Sequence, residues 1–260
     1  MAYETIRVED LAPGVAAVTF NRPEVANALS TQMGRELLDA WTALSARTEL
    51  RCVILRGEGR NFQAGADLKE RNGMTDEAWA AQHQVFEDMA QAQLACPVPV
   101  IAAVQGAAMG GGCEMTLACD FAYAAEGARF GLPEAGLGIM PGLGGTQLLT
   151  RAVGPRRALE FLTTAAPISA EKALAIGLVN GVVPAEALLE TVLGVATQIA
   201  SRAPLSVRGL KRVVHQGQDL DLPAAMELEL SIYYQLFKTA DRREGVASFN
   251  EKRTPGFSGT

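Results

Sequence analysis

Apolar positions recur along this chain in two periods, and the change from one to the other marks its elements. Val15, Val18 and Phe20 in "GVAAVTFNRPE" predict a strand that ends at Asn21 and Pro23. Met33, Leu37, Trp41 and Leu44 then fall at helical spacing, with Ser30 or Thr31 as the cap. "RCVILRGEG" is a short apolar run of the kind buried on both faces, closed by Gly57 and Gly59. "NFQAGADLKE" reads as a loop entering a polar helix, and Trp79, Phe86, Met89 and Leu94 predict a helix over 75–94.

The alternation continues. "PVPVIAAVQG" predicts a strand with its prolines at the start, where a strand tolerates them. "GGGCEMTLACD" opens a helix, and "FAYAAEGARFG" is strand then turn. "LGIMPGLGGTQLLTRAVG" is a Gly/Pro-rich loop feeding a helix from about Thr146, and "SAEKALAIGLV" is a short helix capped by Ser169 before a strand at "NGVV". From 185 to 250 strand signals vanish and three helical runs follow. The pattern predicts an α/β core with a mixed or parallel sheet over 1–195 and a helical module over 196–260.

Composition narrows the function. The formal net charge of −6 argues against a nucleic-acid binder, which usually carries a basic surplus. Cys52, Cys96, Cys113 and Cys119 show no CxxC pairing and read as reduced, mostly buried thiols of a cytoplasmic protein. With only His83 and His215, a His-based metal site or a Ser-His-Asp triad is poorly supplied, so no metal is expected. The N-terminus has no apolar run of the signal-peptide kind. Residues 89–113 carry no charge, but glutamines, prolines and four glycines interrupt them, so membrane insertion is not expected.

The chemistry gathers where small residues meet carboxylates. "AAMGGGCEMTLACD" puts Gly110, Gly111 and Gly112 before Glu114 in an apolar run. No GxxxxGK[ST] or GxGxxG phosphate loop fits them. Two readings remain: a close backbone contact, or free N–H groups at a helix start that hold a developing oxyanion. Ala64, Gly65 and Ala66 form a second small-residue stretch able to supply another donor. "RFGLPEAGLGIMPG" places Glu134 in similar surroundings. Two half-buried carboxylates suit acid–base work on a neutral substrate.

These fragments, in this order, resemble the crotonase superfamily and most closely its enoyl-CoA hydratases. The resemblance rests on "NRPEVANALS", "QAGADLKE", "PVPVIAAVQGAAMGGGCEMTLACD", "FGLPEAGLGIMPGLGGTQ", "ISAEKALAIGLVN" and "DRREGVASFNEKR". It implies a spiral of β-β-α units with C-terminal helices that build homotrimers or dimers of trimers. It implies an acyl-CoA thioester substrate and no separate cofactor, coenzyme A being part of the substrate. By resemblance the oxyanion donors are the N–H groups of Ala66 and Gly111. Glu114 assists delivery of water to C3, Glu134 manages the proton at C2, and Gly142 helps to place the water. Lys69, Phe249 and Lys252, with Ala26 and Ala64, fall on coenzyme A positions, the C-terminal ones supplied to a neighbouring subunit. Met74, Trp79, Phe86 and Met89 lie in the segment that lines the acyl pocket in relatives. Leu132 and Leu148 depart from the common pattern of Gln and Arg. Isomerases of the superfamily, which need one base, are the alternative; an RNA-binding relative is disfavoured by the acidic charge.

Overall fold

The computed structural model describes residues 3–260. Period-2 patterning builds its main sheet. β1 (Ile6–Ala12) pairs antiparallel with β2 (Val15–Phe20), and β3 (Cys52–Gly57), β4 (Val100–Val104), β6 (Phe121–Ala125) and β9 (Gly181–Val183) extend it in parallel. Alternate residues of each strand enter different cores, because successive side chains leave opposite faces. Ala16, Val18, Phe20, Val53 and Leu55 pack with Leu37 and Trp41. Val15, Ala17, Cys52, Ile54 and Ile101 pack with Leu188, Val192 and Ala196. The sheet is therefore covered on both sides, which explains why β2, β3 and β4 are almost wholly buried.

Three very short strands make a second sheet: β5 (Ala107–Met109), β7 (Arg129–Gly131) and β8 (Ile168–Ser169), in the order β5-β7-β8. The sequence pattern does not predict β1, β5, β7 or β8 as separate strands. β1 is a half-exposed edge strand with a mixed polar sequence, and β7 and β8 span three and two residues.

Helices fall largely where spacing places them. α1 (Thr31–Ser45) starts at Ser30, whose hydroxyl accepts the Met33 N–H at 3.2 Å. α2 (Leu68–Arg71) is one turn capped by Asp67, and α3 (Asp76–Leu94) is capped by Thr75. α4 (Gly111–Leu117) follows β5 directly. α5 (Gly145–Val153) is followed by an unpredicted α6 (Pro155–Thr164), begun by Gly154 and Pro155. Ser169 caps α7 (Ala170–Ile176) as expected.

α8 (Leu188–Ala200) runs through residues 195 and 196 and lies on the sheet, with Ala196 fully buried. α9 (Pro204–Gly217), α10 (Leu222–Leu236) and α11 (Ala240–Glu251) complete the helical C-terminal region. The last predicted helical run is two helices, because the Thr239 hydroxyl accepts the Arg242 N–H and starts a new one. Asp120, at the end of α4's exit turn, ties α9 to the core through Lys211 Nζ at 2.8 Å and His215 Nε2 at 2.6 Å. No helix among the described residues is long and apolar enough to cross a membrane.

Candidate active site

Two loops meet backbone to backbone beneath a cavity of about 520 Å³. The 61–67 loop is held beside β5 by a Gln63–Ala108 bridge and beside α1 by a Leu29–Ala66 bridge. At the second bridge Leu29 donates to the Gly65 carbonyl at 2.8 Å and accepts the Asp67 N–H at 2.9 Å. In a parallel bridge the intervening residue points its own polar groups the other way. The Ala66 N–H thus turns from Leu29, and Ala66 lines the cavity.

Gly110 joins β5 to α4 with φ +50°, and its N–H donates to the Gly131 carbonyl at 2.8 Å. A Cβ there would lie 2.9 Å from Glu134 Oε1 and 3.5 Å from the Gly65 Cα. A Cβ on Gly112 would lie 2.3 Å from the Gln63 carbonyl oxygen. The glycine run therefore serves both readings taken from the sequence. Gly110 and Gly112 allow close backbone approach, and Gly111, the first residue of α4, faces the cavity between them. Neither the Ala66 nor the Gly111 N–H meets an acceptor among the described residues. The two donors lie one residue beyond Gly65 and Gly110, whose backbones approach closely.

Both glutamates line the same cavity. Glu114, one turn into α4, is only 3% exposed. Its Oε1 accepts the N–H groups of Leu143 at 2.7 Å and Gly145 at 2.8 Å. Burial pushes its carboxyl up to about 7; the Gly145, Leu143 and Gly142 N–H groups pull it down, and the Glu134 charge adds to the rise. Glu134 sits in the 3₁₀ turn Pro133–Leu137, buried, and its Oε2 has no partner among the described residues. Burial raises its carboxyl too, against its own backbone N–H. Burial thus disfavours the charged form of both carboxyls on this one cavity wall.

The other expected residues divide. Gly142 and Ala64 line the cavity, and Ala26 accepts the Ala64 N–H at 3.1 Å. Lys69 is exposed on α2; Phe249 (83% exposed) and Lys252 lie on or just past α11, outside the cavity of one chain. Trp79 and Phe86 line the cavity, whereas Met89 belongs to the core and Met74 is not on the wall. Sequence reasoning missed Arg71 and His83, both on the wall. A Cβ on Gly142 would lie 2.5 Å from His83 Cε1, so the imidazole packs on the glycine loop. His83 sits four residues after Trp79 and three before Phe86, so the helical spacing places it on that face.

A largely parallel sheet covered by helices, two backbone donors without acceptors and two buried carboxylates on one cavity define the crotonase class of enzymes. The chain belongs to the enoyl-CoA hydratase/isomerase family, whose model matches residues 10–260. It is 41% identical over 262 residues to a crotonyl-CoA hydratase of Syntrophomonas wolfei, covering 99% of each chain. It is 40% identical over 246 residues to the 2,3-dehydroadipyl-CoA hydratase of Escherichia coli, covering 94% of this chain and 95% of that one. The crystal structure of an enoyl-CoA hydratase from Bacillus anthracis superposes with a TM-score of 0.97 at 41% identity, covering 99% of this chain and 100% of that one.

Proposed function

We propose that this protein is an enoyl-CoA hydratase that adds water across the 2,3 double bond of a 2-enoyl thioester. The observation that carries the reading is that Glu114 and Glu134 line one cavity together with Ala66 and Gly111, whose N–H groups have no acceptor among the described residues. Conjugation to a thioester makes C3 electrophilic, provided that the enolate oxygen is stabilised. Two preorganised donors supply this, each typically worth about 3–4 kcal/mol in the transition state. Glu114, oriented by the Leu143 and Gly145 N–H groups, takes a proton from water as its oxygen bonds to C3. Glu134, on the same cavity wall and protonated at the start of the cycle, gives its own proton to C2, and the proton that Glu114 took from water returns to Glu134 through solvent. A family isomerase needs only one such base, so the second buried carboxylate favours hydration.

Coenzyme A enters as part of the substrate, and no further cofactor is required by this chemistry. Lys69 and, from a neighbouring copy, Lys252 meet its phosphates, with Phe249 against the adenine and Ala26 and Ala64 along its path. A homotrimer or dimer of trimers would deliver those C-terminal residues. The apolar side chains Leu222, Met226, Leu230 and Tyr233, exposed on α10, support such packing.

Loss of conjugated-thioester absorbance with crotonyl-CoA tests the reading. Rapid loss in wild type and its collapse in Glu114→Gln supports hydration. Full activity in that variant, or interconversion of 3-enoyl-CoA without hydration, refutes it.

A further inference from the structure

Arg71 places a cation on the wall of the cavity that Leu68, Leu137, Ile139 and Met140 also line. It ends α2, and its guanidinium is fixed from two sides. Its Cζ stands 4.2 Å from the centroid of the Trp79 ring and 5.6 Å from that of Phe86. Its Nε donates to Gln82 Oε1 at 2.7 Å. Gln82 is itself only 4% exposed and donates to Thr31 Oγ1 at 2.8 Å, so the acceptor that orients Arg71 is fixed too.

What this scaffold leaves open is the terminal pair of amino groups. Among the described residues neither donates a hydrogen bond, and Arg71 enters no ion pair. Glu70 acts on it only through its charge, while partial burial strips hydration from the cation. A partly buried guanidinium with two parallel free donors matches a planar carboxylate, which accepts both. A purely apolar acyl tail would lie against those donors and offer them no partner.

Building on the hydratase reading, we infer that Arg71 is a specificity residue that selects 2-enoyl thioesters whose acyl chain ends in a carboxylate. Its stacking on Trp79 and its bond to Gln82 hold the fork ready, so the acid-tailed substrate gains a partner at small ordering cost. Discrimination arises both from that pairing and from the unpaired cation facing a neutral tail.

The test compares 2,3-dehydroadipyl-CoA with trans-2-hexenoyl-CoA, which share a six-carbon acyl chain and differ in the terminal carboxylate. Wild type is expected to favour the acid-tailed thioester in kcat/KM, and Arg71→Met to lower that preference by about 30-fold or more. Arg71→Lys, keeping the charge but not the fork, should restore part of it. The coenzyme A phosphates are the other anions of the substrate. Contact with them would lower kcat/KM equally for both thioesters in Arg71→Met, which would overturn the inference, as would a wild-type preference for the neutral tail. Calorimetric binding of the unreactive adipyl-CoA and hexanoyl-CoA provides a readout that does not need hydration. Tighter adipyl-CoA binding that is lost in Arg71→Met supports the inference even if no thioester is hydrated, and equal binding by wild type refutes it. Absence of hydration with every thioester sinks only the underlying reaction.

Discussion

The Gly145 N–H donates to Glu114 Oε1 at 2.8 Å, and a Cβ on Gly145 would stand 2.9 Å from that same oxygen and from Cγ. The glycine that orients the carboxylate must therefore also be the residue that does not crowd it. The same loop supplies the Leu143 N–H, so the glycine-rich segment 142–145 works as a cradle for one Glu114 oxygen.

Gly145→Ala should fold and lose turnover. Its new methyl forces Glu114 to move within a buried site, and small misplacements of a reacting group cost about 100-fold. Steady-state rates with crotonyl-CoA, beside circular dichroism of the variant, check this. Wild-type turnover would show that the carboxylate has room to shift.

Glu114 links pH to stability. Its folded value of about 7 lies above the ordinary 4.5, so the folded chain keeps a proton that the unfolded chain has lost across that window. The stabilisation is complete below 4.5 and is lost as pH rises through about 7. Glu114→Gln, which does not titrate, should therefore gain stability relative to wild type from pH 4.5 to 8, by up to about 3 kcal/mol. Urea denaturation at several pH values measures it. A difference independent of pH would show that Glu114 is not perturbed.

Gly112→Ala strikes the frame of the proposed oxyanion donors. The added methyl would meet the Gln63 carbonyl oxygen at 2.3 Å, and a backbone atom cannot swing aside as a side-chain tip can. Overpacking of this kind typically costs about 1–3 kcal/mol. Loss of both stability and rate is expected, since the loop pushed away carries the Ala66 donor. Thermal unfolding and kcat, measured together, decide it.

Lys211→Met should loosen the seat of α9. Burial alone would raise the Asp120 carboxyl, but His215, Lys211 and the Val100 N–H outweigh it and hold it below the ordinary carboxylate range. The stabilisation is thus present above pH about 4 and is lost as pH falls through the folded value. Removing one partner of such a buried pair typically costs about 3–5 kcal/mol. The deficit of Lys211→Met against wild type should be large at pH 7 and shrink toward pH 3, read by urea unfolding.

The sequence by itself determined what depends on near neighbours in the chain. Apolar spacing marked β2, β3, β4, α1 and α3, and Ser30 and Ser169 marked helix starts, because periodicity and capping act within a few residues. The order of the glycine and glutamate motifs established the family. Tertiary structure decided what depends on partners distant in sequence. β5, β7 and β8 are too short to be specified except by pairing with one another, and polar β1 exists because β2 offers it an edge. Burial raises the Glu114 carboxyl while N–H groups of the 142–145 loop, some thirty residues away, hold it back, and Glu134 Oε2 is left without a partner among the described residues. Arg71 reads in sequence as an ordinary polar helix residue. Only the packing of α3 against α1, which places Gln82 and Trp79 around its guanidinium, turns it into a fixed cation in the substrate cavity.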